Sequence, residues 1–126
     1  MRELTRAEEE VMQVLWKLKK GFVKDILEHF NNPRPAYNTV STIVRILQDK
    51  GFVDHKAYGR THEYYPLISK SDYSKSHLST FVNDYFSNSF GKMVSFFAKG
   101  KHISVKEMEE IMKIMESEVK KQKHVK

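Results

Sequence analysis

The chain has 126 residues, 40% of them hydrophobic, with 22 Lys and Arg against 16 Asp and Glu and a formal net charge of +6. That size suits one domain, or a small domain with an appended helical segment, and the absence of Cys excludes disulfides, thiolate metal sites and cysteine nucleophiles. Neither terminus carries an apolar run suited to a signal peptide or a membrane span, so a cytoplasmic protein without membrane contact is expected. The basic excess favours a polyanionic partner without naming one, because residues 1–66 hold 11 basic and 9 acidic side chains and 67–126 hold 11 and 7.

Thr5, with Glu8 three residues on, reads as a capping box opening a first helix. Leu4, Ala7, Val11, Val14, Leu15 and Leu18 form its apolar stripe, and Gly21 is the expected stop. Val23, Ile26, Leu27 and Phe30 repeat the helical spacing over barely two turns, and Pro33 and Pro35 break it. Val40, Ile43, Val44 and Leu47 then predict a third helix from Tyr37 to Gly51. In "FVDHKAYGRTHEYYP" two β-favouring runs flank Tyr58 and Gly59. With those two as the turn, Ala57 would pair with Arg60, Lys56 with Thr61 and His55 with His62. Three helices followed by a hairpin is a winged-helix order.

The third helix carries Asn38, Ser41, Thr42 and Arg45 opposite its buried side, where long Glu and Lys stems would favour the helix more. In a helix-turn-helix protein that face meets base edges in the major groove. Short hydroxyls and an amide suit hydrogen bonding there, and Arg can reach a guanine. Tyr37 opens the same helix and is counted with this face. Lys56, Tyr58 and Arg60 are expected on the wing tip, against flanking phosphate or in the minor groove. Two other readings stay open: a winged helix that contacts a protein, and a non-specific DNA-coating protein using the tail lysines.

Residues 67–126 read as helices. Leu78, Phe81, Val82, Tyr85 and Phe86 make one heavy apolar stripe, and "FGKMVSFFAKG" holds a short helix between glycines. Ser104 and Glu107 form a second capping box before a helix in which Val105, Met108, Met112, Met115 and Val119 step by 3, 4, 3 and 4. Ile111 and Ile114 widen that seam. Glu109–Lys113 and Glu116–Lys120 are expected i,i+4 pairs on its outer side, and the tail "VKKQKHVK" is expected to fray. So much apolar surface points to a homodimer built on Leu78, Phe81, Val82, Tyr85, Met108, Ile111, Met112 and Met115. The methionines read as adaptable interface filler.

No paired-carboxylate, His-x-x-x-His or glycine-rich phosphate pattern appears, so neither an enzyme nor a cofactor is expected. His55 and His62 on the wing would need a third ligand to hold zinc, and alternation points Asp54 and Glu63 to the other face.

"LTRAEEEVMQVLWK", "NTVSTIVRILQDKGFV" and "GRTHEYYPLIS" resemble, at matching spacing, the bacterial penicillinase and methicillin-resistance repressor family (BlaI/MecI type, with copper-responsive CopY-type relatives). The resemblance implies a winged helix-turn-helix domain over 1–68 and a helical dimerisation domain with a basic tail over 69–126. It also implies a homodimeric repressor on a palindromic double-stranded operator of resistance genes. Asn38, Thr39, Ser41 and Thr42 would then occupy the base-reading end of the third helix, and Arg60 the wing. Penicillin-responsive members are inactivated by proteolysis at an Asn-Phe bond, which aligns with Phe96-Phe97 and implies a sensor-linked protease as a partner. The chain departs from the pattern at that bond, in lacking the Cys-x-Cys motifs of copper-responsive relatives, and in carrying Ile46 where relatives have Arg.

Overall fold

The computed structural model describes residues 2–31 and 33–124. Six helices and three strands occur among them, in the order α1 (Arg6–Leu18), β1 (Gly21–Phe22), α2 (Val23–Glu28), α3 (Tyr37–Asp49), β2 (Val53–Tyr58), β3 (Thr61–Pro66), α4 (Lys70–Phe86), α5 (Phe90–Lys99) and α6 (Val105–His124). The fold is mainly helical with a small antiparallel sheet, the class that the apolar spacing predicts. It divides into two compact units, residues 1–77 and 78–126.

The first unit packs Val11, Met12 and Leu15 of α1 and Val23 and Ile26 of α2 against Val40, Val44 and Leu47 of α3. Phe52, Val53, Tyr64 and Tyr73 complete the cluster. The unit runs past the expected end at residue 68 because Tyr73 folds back onto it. The Tyr73 ring lies 5.6 Å from Trp16 and edge-on to Phe52 at 5.8 Å, and its hydroxyl donates to Glu9 at 2.9 Å. Burial, with the Glu9 carboxylate beside it, pushes the Tyr73 phenol up to about 12.

The buried side of α1 is rotated from the expected stripe: Ala7 is exposed, while Met12 and Glu8 are buried. Glu8 goes inside because its charge is matched. It accepts from Lys50 Nζ at 2.6 Å and from the Thr5 N–H at 3.1 Å, and the Glu8 N–H donates to Thr5 Oγ1, completing the capping box. Lys50 also donates to the Glu3 carbonyl at 3.1 Å, so this network fastens the start of α1 to the end of α3. Burial would raise the Glu8 carboxyl, but the hydrogen bonds from Lys50 and Thr5 and the Lys50 charge outweigh it and hold the carboxyl below its ordinary value.

Helix α1 ends at Lys19, which has φ 73°, rather than at the expected Gly21. Gly21 instead opens β1 and is buried, with Leu18 Cδ1 and Asp25 Cβ 3.3 and 3.4 Å from where a Cβ would stand. Helix α2 starts two residues later, at Val23, with the Asp25 carboxylate accepting from the Phe22 N–H at 2.9 Å.

The sheet order is β1-β3-β2, all antiparallel. Strand β1 has two residues, too few for alternation to announce it. The hairpin turn lies one residue later than expected, so each cross-strand partner moves by two: Tyr58 pairs with Thr61, Ala57 with His62 and His55 with Tyr64. The turn residues are therefore Gly59 and Arg60. Gly59 has φ 65° and takes the first central position, as in a type II′ turn, where the expectation had put it second.

In the second unit Val82 is fully buried, whereas Leu78, Phe81 and Tyr85 of α4 are exposed. Ser89 accepts from the Lys92 N–H to cap α5, and Ser104 and Glu107 form the expected contact before α6. The tail does not fray before His124, where α6 ends with Lys121, Lys123 and His124 favouring its C-terminal dipole; Val125 and Lys126 lie outside the described residues. The expected Glu109–Lys113 and Glu116–Lys120 pairs do not close to ion-pair distance. On α6 Lys121 approaches Glu118 at 3.9 Å instead, a loose exposed contact with little hold on its side chains. No helix among the described residues is long and apolar enough to cross a membrane.

Candidate nucleic-acid interface

Helix α3 buries one side and leaves Tyr37, Asn38, Thr39, Thr42 and Arg45 exposed on the other, with Ser41 half-buried. Thr42 Oγ1 donates to the Asn38 carbonyl at 2.9 Å. Its hydrogen is thereby committed, and its lone pairs face outward as acceptors. Arg45 lies back along the helix, its Nε donating to the Ser41 carbonyl at 3.2 Å and its Nη2 to Ser41 Oγ at 3.3 Å. Ile46, the next residue and one turn beyond Thr42, is 38% exposed. The N-terminus of α3 follows Ala36 and has no side-chain cap, unlike α1, α5 and α6. Its first N–H groups and the positive end of its dipole are thus open.

A groove runs between this end of α3 and the wing. It brings together Tyr37 and Ser41 from α3, Arg60 from the turn, Thr61 and His62 from β3, and Lys24 from α2. The geometry therefore unites three of the expected residues. Lys24 was missed by sequence reasoning. The available signal was its place at the start of the second helix, the one that crosses the nucleic-acid backbone in a helix-turn-helix.

The wing differs from the expected tip. With the turn at Gly59–Arg60, Arg60 stands at its end and is exposed, whereas Lys56 and Tyr58 belong to β2. Lys56 Nζ lies 5.4 Å from the Tyr58 ring centroid, and Tyr58 packs edge-on to Phe22 at 5.8 Å. Those contacts fix Tyr58 against β1 and leave one cation over its face.

His55 and His62 are not directly paired in the ladder, yet their rings stack at 4.2 Å because they are diagonal neighbours on one sheet face. His55 Nδ1 lies 2.8 Å from Gln48 Oε1 and ties β2 to the last turn of α3. Among the described residues no group of three His, Asp or Glu could hold a metal ion. The expected dimer residues are exposed on α4 and α6, except the buried Val82 and half-buried Met108. Phe96 and Phe97 both lie within α5, Phe96 exposed at 58% and Phe97 half-buried.

Three helices, a two-stranded wing and a polar outward face on the third helix define a winged helix-turn-helix protein. The chain belongs to the penicillinase repressor family, whose model matches residues 4–117. It is 30% identical over 114 residues to the methicillin resistance regulatory protein MecI of Mammaliicoccus sciuri, covering 90% of this chain and 93% of that protein. It is 27% identical over 122 residues to the penicillinase repressor of Bacillus licheniformis, covering 96% and 95%. Its fold matches the solution structure of the DNA-binding domain of the repressor BlaI with a TM-score of 0.50 and 30% identity, over 58% of this chain and 94% of that one.

Proposed function

We propose that the chain represses transcription as a homodimer on a palindromic operator, each α3 entering one major groove. It is a DNA-binding transcriptional repressor by family and fold. The observation that carries the interface is the outward face of α3: small polar side chains beside an uncapped helix N-terminus, with Lys24 and Arg60 along the adjoining groove. The open N–H groups and the two cations suit phosphate, which sets register. Asn38, Thr39, Ser41 and Thr42 read base edges, and Arg45 swings off Ser41 to reach a guanine or a phosphate. Ile46 offers an apolar contact of the kind a thymine methyl accepts.

The exposed seams of α4 and α6 support the dimer, since a second copy would cover Tyr85 and Ile111 to Met115. The relatives' names support an antibiotic-resistance gene as the target, and action on a bacterial promoter would take place in the cytoplasm. Release of the operator follows from loosening the helical unit. If that occurs by a sensor-linked protease at Phe96-Phe97, α5 must first open, because proteases take extended chain and this bond is helical.

Selection from a pool of random duplexes at near-physiological salt tests this reading. A palindrome with two half-sites about one helical turn or a multiple apart is expected. Retention without enrichment would leave non-specific coating, and no retention would leave a protein partner. On the selected site, Arg60→Ala should lower the salt slope of log K by about one unit, and an unchanged slope would remove Arg60 from phosphate.

A further inference from the structure

The first unit carries a second concavity, formed by α1 with the β3–α4 connection and with His29 at the end of α2, and not lined by any residue of the α3–wing interface. Its volume is about 1010 Å³. Val14, Trp16, Leu67 and Ile68 supply apolar lining, and Leu67 is 55% exposed although it is flanked by apolar neighbours. The Trp16 indole N–H donates to the Ile68 carbonyl at 2.8 Å and Tyr73 packs on its ring at 5.6 Å, so the half-buried indole is fixed and lines the groove with the part of its surface left over.

Lys17, Lys19 and Lys70 also line it, and no lining residue is acidic. None of the three ammonium groups has an ion-pair partner among the described residues, whereas Lys20 reaches Glu63 and Lys50 reaches Glu8. Apolar walls with unpaired cations complement a small organic anion: the walls take an apolar body and the ammonium groups its charge. Lys19 adds an independent observation. It holds φ 73° at the end of α1, a conformation that suits Gly and that other L residues rarely adopt. The chain thus keeps a long cation at a position where its backbone is strained, on the edge of this groove.

We infer that the groove between α1 and the β3–α4 connection is a binding site for a small organic anion with an aromatic or aliphatic body. The ligand's apolar part lies against Trp16, Leu67 and Ile68, and its carboxylate lies among Lys17, Lys19 and Lys70. It would there touch the connection that leads from the wing into α4.

Titration of the full chain with 1-naphthoate, followed by ¹⁵N NMR, tests this, with 1-naphthamide as the uncharged control. Saturable shifts are expected at Trp16 Nε1–H and at the amides of Leu67–Lys70, with the amide compound binding at least about threefold more weakly. Lys19→Gly relieves the strained backbone, so it should melt no lower than the parent while binding 1-naphthoate about threefold more weakly. Lys70→Gln should weaken binding to a similar extent. Shifts confined to α4–α6, equal affinity for the two compounds, or unaltered binding by Lys19→Gly would each overturn the assignment.

Discussion

Residues 1–77 and 78–126 treat their apolar side chains in opposite ways. In the first unit twelve apolar residues form one buried cluster, from Val11 in α1 to Tyr73 in α4. In the second, Val82 is fully buried, while Tyr85, Phe90, Phe96, Ile114 and Met115 are each more than half exposed. Helices alone do not account for this, because both units have well-capped ones. The stability of a unit that buries its own core does not depend on concentration. One that leaves a seam on each helix owes its stability to whatever covers them, and that stability follows mass action. In the proposed repressor this separates a rigid reader from a dissociable coupling.

The sharpest way to break the comparison is to open the first core. Phe52→Ala should cost about 3–5 kcal/mol, as for a fully buried aromatic ring. Trp16 is the single Trp and lies in the first unit, so urea unfolding followed by its fluorescence isolates that loss. The shift should be independent of protein concentration. Ile111→Asp combined with Met115→Asp should leave the Trp16 transition in place but convert the chain to a monomer by sedimentation. Operator affinity should then fall by at least about 100-fold, since the second half-site is no longer tethered. A monomeric parent, or unchanged affinity in the double variant, would mean that the α6 seam serves something other than self-association.

Much of the first unit was legible because burial there is one-sided. Val40, Val44 and Leu47 are buried where their spacing puts them, and Thr5 and Glu8 cap α1 as their types require. What escaped notice depended on partners distant in the chain. Glu8 is buried only because Lys50, far along the sequence, comes to meet it. The hairpin turn moved on by one residue because Gly59 can occupy either turn position, which shifts each cross-strand partner by two and so keeps His55 and His62 on one face. Two-residue β1 gave no period to detect. In the candidate interface, Tyr37, Ser41 and Arg60 were identifiable by type, but Lys24 joined them only through folding. The second unit's helices were legible from the same periodicity, whereas the partner for their seams was not, since period alone does not say whose surface covers it.

The Glu8–Lys50 pair sharpens the comparison through pH. Its folded carboxyl lies below the ordinary value of 4.5, so in that range the unfolded chain binds more protons than the folded one and stability rises with pH. The contribution is complete above the unfolded value and is lost as pH falls through the folded one. Glu8→Gln should remove about 2 kcal/mol near neutrality, the worth of a charge-assisted hydrogen bond. It should also flatten the acid limb of the Trp16 melting curve. An equally steep limb in the variant would assign the acid sensitivity to other carboxylates.

The smallest effect expected in the first unit is the one most specific to reading. Thr42 is exposed, and its hydroxyl hydrogen bonds only the Asn38 carbonyl one turn back, an arrangement that adds little to the helix. Ala is the better helix former, so Thr42→Ala should raise stability by a few tenths of a kcal/mol, to about 0.5. The same change deletes an outward acceptor and a methyl from the side proposed to meet the bases. Discrimination at one operator position should relax, by roughly 1 kcal/mol or more, while the salt slope stays the same. Gain of stability with loss of selectivity would place Thr42 in base recognition, because a residue kept for the fold would move both in the same direction. Unchanged selectivity would shift the reading of bases to Asn38, Thr39, Ser41 and Arg45.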